Sequence, residues 1–258
     1  PTVVVETGTA VRIMTGAPIP DGADAVVPFE DTDEVERRAS SASMDTIGVN
    51  VAVPIGVNVR PAGQDISAGQ QVLQTGAVLR AQEIGVLASL GYGEVSVIRR
   101  PEVSILATGD ELVEIDELPG PGQIRNSNET MLAAQVRACQ AESILLGIAR
   151  DTPEHLSERI AAGLDHDVLL LSGGVSAGRL DLVPARLEAA GVTQVFHKVR
   201  VKPGKPIWFG VSASRSETGS PCFVFGLPGN PVSSMVCFEL FVRTALRRLS
   251  GQLQSQPE

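Results

Sequence analysis

Hydrophobic and polar positions change their rhythm close to Pro101. Before this residue the apolar positions form short valine-rich runs between Gly, Pro and Asp, a pattern typical of short strands joined by tight turns. The predicted strands are residues 3–5, 25–28, 49–53 and 57–59. A helix over 81–90 and a strand over 94–98 follow. We therefore predict a partial β-rich domain at 1–64 and a linker-domain segment at 65–100.

From Pro101 onward, strand and helix patterns alternate, which indicates an α/β fold with a largely parallel sheet. The predicted strands are residues 103–107, 143–149, 168–171 and 195–201, with a hairpin of 206–211 and 222–225. The predicted helices are 129–141, 153–164, 182–190 and 231 to about 249. The sequence thus predicts one α/β domain at 101–250, with a tail at 251–258.

Composition narrows the classes of function. The net charge of −9 argues against non-specific binding to nucleic acid. Cys139, Cys222 and Cys237 are odd in number and lack metal-type spacing, so we expect reduced thiols in a cytoplasmic protein. No apolar run reaches membrane-spanning length, and we expect no membrane partner. Because the chain begins at Pro1 without a methionine, we expect a fragment of a longer protein.

All the lysines of this acidic chain fall within residues 197–206. Lys198, Arg200 and Lys202 alternate with two valines, which predicts a strand with one cationic face. Two prolines and a glycine then predict a rigid bend that brings Lys205 back towards that face. This cationic face could simply be exposed to solvent, or it could bind an anion.

The turns that follow the predicted strands carry glycine, acid, or both. They are residues 108–112, 150–151, 172–178, 202–206 and 227–231. Because ligands of such sheets lie beyond the carboxyl ends of the strands, these turns form the candidate site. The Gly-rich turn at 172–178 either approaches a phosphate through backbone N–H groups or is simply a tight turn. Acids beside lysines suggest a metal–polyphosphate or oxyanion site, although Asp151 could instead support the start of the next helix.

Taken together, these turns resemble the MoeA family of molybdopterin molybdenumtransferases, which includes the E domain of gephyrin. The matching stretches, in family order, are 12–24 (RIMTGAPIPDGAD), 63–66 (GQDI), 107–112 (ATGDEL), 123–128 (QIRNSN), 147–151 (GIARD), 171–178 (LSGGVSAG), 196–206 (FHKVRVKPGKP) and 225–233 (FGLPGNPVS). Each stretch is weak alone, but the series covers nearly the whole chain. The resemblance implies a three-layer, MogA-like molybdopterin-binding domain and a chain that lacks the family's N-terminal segment and C-terminal domain.

The function implied by this resemblance is insertion of molybdate into adenylylated molybdopterin, with Mg²⁺-dependent release of AMP. It also implies a homodimer, with possible contacts to a MogA-type adenylyltransferase and to molybdoenzymes. Two alternatives remain open. One is a MogA-type adenylyltransferase that uses ATP, and the other is a non-enzymatic scaffold of the gephyrin kind.

The resemblance also implies roles for individual residues. The metal-binding acids would be Asp65, Glu111, Asp151 and Asp181. The catalytic set would be Glu111, Asp151, Lys198 and Lys202, with the lysines binding phosphate or molybdate. The residues that contact the pterin cofactor or its phosphate would be Thr15, Gly173, Gly174, Ser176, Asp181, Pro228, Gly229 and Asn230.

Overall fold

The computed structural model describes residues 3–175, 182–213 and 219–252. The chain divides into two compact units, Pro1–Gln74 and Thr75–Glu258. The predicted boundaries after residues 64 and 100 stay predictions. In the described part of the chain, no helix is long and apolar enough to cross a membrane.

The N-terminal unit contains a short 3-10 turn (Phe29–Asp31) and helix α1 (Glu34–Ala39). The four strands predicted in this region are not formed among residues 3–64. An isolated bridge joins Thr32 to Val49, and the Val26 N–H donates to the Val57 carbonyl over 3.0 Å. Prolines interrupt these runs and remove N–H donors, so the single bonds do not extend into ladders, and the prediction of regular strands was wrong.

The C-terminal unit carries the regular elements of the fold. Its helices are α2 (Ala81–Ser89), α3 (Ser127–Ala138), α4 (Pro153–Leu164), α5 (Val183–Ala189), α6 (Pro231–Cys237) and α7 (Arg243–Leu249). Its strands are β1 (Glu102–Thr108), β2 (Leu112–Val113), β3 (Ile124–Arg125), β4 (Glu142–Ala149), β5 (Val168–Ser172), β6 (Val192–His197), β7 (Trp208–Ser212) and β8 (Phe223–Leu227).

Six of these strands form one mixed sheet in the order β4-β1-β5-β8-β7-β6, and β2 pairs with β3 separately. Strands β4, β1, β5 and β8 run parallel, whereas β7 is antiparallel to both of its neighbours. The carboxyl ends of the parallel strands therefore lie along one edge. The same edge holds the end of β6 and the start of β7.

Two apolar clusters pack on the opposite faces of this sheet. Helices α3, α6 and α7 cover one face, where Leu132 and Phe238 are fully buried. Helices α4 and α5 cover the other face, where Leu156 and Leu187 are fully buried. Because residues of β5 alternate between the two clusters, this strand has no polar face and reads as a continuous apolar run. The α/β class and its three layers are thus confirmed.

Most predicted elements of this unit are present, with three differences. The strand predicted at 195–201 is instead β6, which ends at His197. Residues 94–98 form no strand, because they are exposed and pair with no other strand in the described chain. The final helix is interrupted by a π-helical segment (Phe238–Val242) between α6 and α7. The predicted hairpin near 206–225 is confirmed by the antiparallel pairing of β7 with β8.

Candidate active site

The cavity at the carboxyl edge of the sheet measures about 330 Å³. It is formed by turns that follow β1, β4, β5 and β8, together with the start of α5. Its lining residues are Thr108, Gly109, Glu111, Asp151, Gly173, Gly174, Val175, Leu182, Val183, Pro206, Pro228 and Gly229. The structure therefore brings together six predicted site residues, namely Glu111, Asp151, Gly173, Gly174, Pro228 and Gly229.

The acidic part of the cavity comes from two loops that are fastened to each other. The Arg150 guanidinium donates to the carbonyl oxygen of Leu112 over 3.0 Å, and the Asp151 N–H donates to Asp110 Oδ1 over 3.1 Å. Gly109 has a φ of +139°, and a Cβ there would collide with the folded-back carboxylate of Glu111. The position of Glu111 over the cavity thus depends on a glycine two residues earlier.

The Gly-rich turn passes close to the end of β1. A Cβ on Gly173 would lie 2.8 Å from the Thr108 carbonyl oxygen, and one on Gly174 would lie 2.8 Å from Thr108 Oγ1. Both glycines also have positive φ. The Gly173 N–H donates to the Leu227 carbonyl over 3.1 Å, so this group is engaged within the fold. Gly173 therefore contributes close approach of the backbone, as in the tight-turn alternative, and its N–H is engaged within the fold.

The lysine row does not form the predicted strand. Strand β6 ends at His197, which pairs with Trp208, so residues 198–207 are the connection between β6 and β7. Lys198 has a φ of +68°, and the Val199 N–H donates to the Lys205 carbonyl over 3.0 Å. The chain folds back on itself before Lys202, so the alternation of lysine and valine does not produce a flat cationic face. The basic side chains remain exposed on a compact loop.

This lysine loop (198–206) is attached to the rest of the unit on both sides. Gly204 is buried, and a Cβ there would collide with Cys237 Sγ. Burial raises the pKa of the Cys237 thiol to about 11, so the thiol stays protonated and donates to the Gly204 carbonyl over 3.5 Å. At the other side, His197 Nε2 lies 3.2 Å from the Val175 carbonyl and donates to it. The loop is thereby joined to the Gly-rich turn that lines the cavity.

The remaining predicted site residues fall elsewhere. Thr15 is exposed in a turn of the N-terminal unit, and Asp65 of that unit pairs with Arg60 at 2.9 Å. Ser176 and Asp181 lie outside the described residues. Asn230 caps α6 by accepting a hydrogen bond from the Ser233 N–H at 3.2 Å.

The described residues contain no cluster of three or more acids, histidines or cysteines suited to hold a metal ion. Two carboxylates, Glu111 and Asp151, face the cavity. Mg²⁺ is commonly held by one or two carboxylates together with substrate phosphates. Among the described residues, this pair of carboxylates fits that shared mode of binding.

Sequence reasoning did not single out Asn128, which stood only within the matching stretch 123–128. Its side chain crosses between the turns after β5 and β8, at the wall of the cavity. The real cap of α3 is Asn126, whose Oδ1 accepts from the Glu129 N–H. Only one asparagine is needed to cap α3, so the second one, Asn128, was the available sign of a further role.

Comparison with known proteins agrees with this geometry. Residues 104–248, more than half of the chain, match the family described as a probable molybdopterin binding domain. The chain belongs to this family of molybdopterin-binding domains. Residues 1–91 match the MoeA N-terminal region (domain I and II), and the two matches together confirm the MoeA resemblance.

Individual relatives of this chain are moderately similar in sequence. A molybdopterin molybdenumtransferase of Staphylococcus aureus (strain MRSA252) is 36% identical over 253 residues, which is 96% of this chain and 56% of the relative. A crystal structure of a molybdopterin biosynthesis MoeA protein from Pyrococcus horikosii has a TM-score of 0.76 at 32% identity. It covers 98% of this chain, which in turn covers 60% of that protein. The chain thus spans about half the length of the curated relatives it matches.

Proposed function

We propose that the protein containing this chain is a molybdopterin molybdenumtransferase that inserts molybdate into adenylylated molybdopterin and releases AMP. The observation that carries the proposal is the cavity at the carboxyl edge, where Glu111 and Asp151 face the glycines of two turns. The S. aureus relative bears the same name as the proposed activity. A phosphoanhydride and a molybdate dianion are both attracted by cations. All the lysines of this otherwise acidic chain lie in the lysine loop.

Each part of the site then has a role in this proposal. Glu111 and Asp151 would hold Mg²⁺ together with substrate oxygens, and the ion would neutralise phosphate charge. Lys198 and Lys202 bind the phosphate or molybdate anion. Gly173, Gly174, Pro228 and Gly229 let the pterin ligand approach the backbone closely. Thr15, Asp65, Ser176, Asp181 and Asn230 keep the roles that the resemblance implies.

We also propose that the protein works in the cytoplasm as a homodimer, with contacts to a MogA-type adenylyltransferase and to molybdoenzymes. The support is the family resemblance together with three cysteines that form no disulfide.

The test is AMP release from adenylylated molybdopterin by the full-length protein, with and without Mg²⁺ and molybdate. We expect replacement of both Lys198 and Lys202 by alanine to lower the rate roughly a hundredfold, because positioned charges at a reacting anion contribute effects of that size. Lys205→Ala is the matched control, since it removes an exposed lysine from the same loop.

Normal AMP release by the double variant would show that Lys198 and Lys202 do not belong to the site. ATP-dependent adenylylation of molybdopterin by the pure protein would instead favour the adenylyltransferase alternative. Failure of the protein to bind either pterin or nucleotide would favour a scaffold.

A further inference from the structure

Asn128 joins two walls of the cavity through a single amide group. Its Nδ2 donates to Ser172 Oγ over 2.7 Å and to the Gly229 carbonyl oxygen over 2.8 Å. Ser172 is the last residue of β5 and directly precedes the Gly-rich turn, and Gly229 lies in the turn after β8. Both hydrogens of one NH₂ group are therefore used on two different turns.

The orientation of this amide is fixed by its surroundings. A carbonyl oxygen only accepts hydrogen bonds, so Gly229 requires the NH₂ group of Asn128 on its side. Asn128 Oδ1 is buried and has no hydrogen-bond partner in the part of the chain that the structure describes. Burying an acceptor without a partner costs free energy. The two donated bonds therefore offset the cost of leaving Oδ1 without a partner.

The two turns also touch each other directly. A Cβ on Gly229 would lie 3.7 Å from the Gly173 Cα, and the Gly173 N–H donates to Leu227 across the same gap. Gly173 and Gly229 both line the cavity. A change in the spacing of these turns would change the width of the cavity at this wall.

We propose that Asn128 is a positioning residue that fixes the distance between the Gly-rich turn and the turn at 228–230, and so sets the cavity for its phosphorylated ligand. It acts through Ser172 and Gly229. The kinetic part of this inference rests on the proposed function, whereas the structural part does not.

The test uses Asn128→Asp in the full-length protein. This change keeps the shape of the side chain but places a carboxylate oxygen against the Gly229 carbonyl, so two acceptors face each other. The matched control is Asn58→Asp, which also removes an amide that donates to a distant carbonyl, that of Val26 at 2.9 Å. The control lies in the N-terminal unit and has no assigned role.

The first readout is hydrogen exchange, which needs no substrate. We expect amide exchange at 172–175 and at 229–230 to rise together, roughly tenfold, because a hydrogen bond shared by the two turns is lost. Exchange within α4 should match the parent. A rise in one turn only, no rise, or an equal rise across the whole C-terminal unit would overturn the proposal.

The second readout is steady-state AMP release. We expect kcat/KM of Asn128→Asp to fall on the order of a hundredfold, since small displacements of a bound substrate have effects of that size. Ser172→Ala combined with Asn128→Asp should lose less than the product of the two single effects, because the changes share one contact. Kinetics equal to those of Asn58→Asp would overturn the proposal. An inactive parent would defeat the proposed function instead, with the exchange result still deciding the role of Asn128.

Discussion

The two units of this chain bury different kinds of residue. Among the described residues of the N-terminal unit only Pro20 and Glu34 are buried, whereas the C-terminal unit buries apolar side chains on both faces of its sheet. Val35 and Ile55 of the N-terminal unit are 57% and 81% exposed. The order of that unit therefore depends more on hydrogen bonds and ion pairs than on an apolar core.

The difference between the two units is also seen in the pKa shifts of two buried glutamates, Glu34 and Glu129. Burial acts to raise the pKa of Glu34, but hydrogen bonds and charge from Arg38 and Arg12 outweigh it, so the pKa is lowered. Burial also raises the pKa of Glu129, and there the bonds from Gly147 and Asn126 do not offset it. Glu34 is held as a paired anion, whereas burial makes ionisation of Glu129 harder than that of an exposed glutamate. The comparison teaches that these two carboxylates should change stability in opposite directions as the pH falls.

The largest expected effect comes from the core of the sheet. Leu170→Ala empties a fully buried position in β5, and we expect the C-terminal unit to lose about 2–5 kcal/mol of unfolding free energy. Ile55→Ala in the N-terminal unit should change stability by no more than about 0.5 kcal/mol, as is usual for exposed positions. Urea unfolding followed by the fluorescence of Trp208, a buried residue of β7 and the chain's one tryptophan, measures the first variant.

The rate of limited proteolysis within residues 3–74 measures the effect of Ile55→Ala on the stability of the N-terminal unit. Similar losses for both substitutions would show that the N-terminal unit has an apolar core after all.

The sequence predicted the C-terminal unit well because burial there follows simple periodicity. Strand β5 is a continuous apolar run, and α4 is preceded by Thr152 and begins at Pro153, as expected for an N-cap followed by proline. The turns after these strands lie on one edge for the same reason, since parallel strands fix where their carboxyl ends meet.

The same reasoning failed where local pattern and tertiary contacts disagree. Lysine and valine alternate as in a strand, but β7 begins at Trp208, so its pairing with β6 stops at His197. The positive φ of Lys198 and the contact between Gly204 and Cys237 depend on residues far apart in sequence. Asn128 was missed because its partners are 44 and 101 positions away.

A smaller effect is expected from Glu34→Gln in the N-terminal unit. The carboxylate accepts from Arg12 Nε at 2.9 Å and from Arg38 Nε at 2.8 Å, and its amide replacement loses both charge-assisted bonds. We expect faster hydrogen exchange in α1 at neutral pH. Because the pKa of Glu34 is lowered in the folded state, its contribution is present above the unfolded value and is lost as pH falls through the folded value.

The difference between Glu34→Gln and the parent should therefore shrink on acidification. Glu36→Gln changes an exposed glutamate of the same helix and serves as the control. A difference that grows as the pH is lowered would contradict the paired-anion interpretation of Glu34.

The smallest and most specific effect concerns Glu129, a buried residue in the first turn of α3. Its Oε1 accepts from the Gly147 N–H at 2.8 Å and its Oε2 from Asn126 Nδ2 at 2.9 Å. Because burial raises the pKa of Glu129 above the ordinary 4.5, the folded state binds more protons than the unfolded state between the two values. Stability from this group is thus complete at low pH and is lost as pH rises through the folded value.

In Glu129→Gln that loss is absent, so the unfolding free energy of the variant relative to the parent should rise as pH increases above 4.5. Urea unfolding at several pH values, read from Trp208 fluorescence, provides the comparison, and Glu158→Gln on the exposed face of α4 is the matched control. Parallel stability curves for the parent and Glu129→Gln would mean that the Gly147 and Asn126 bonds compensate for burial. The pH dependence of stability would then no longer distinguish the ion-paired Glu34 from the buried Glu129.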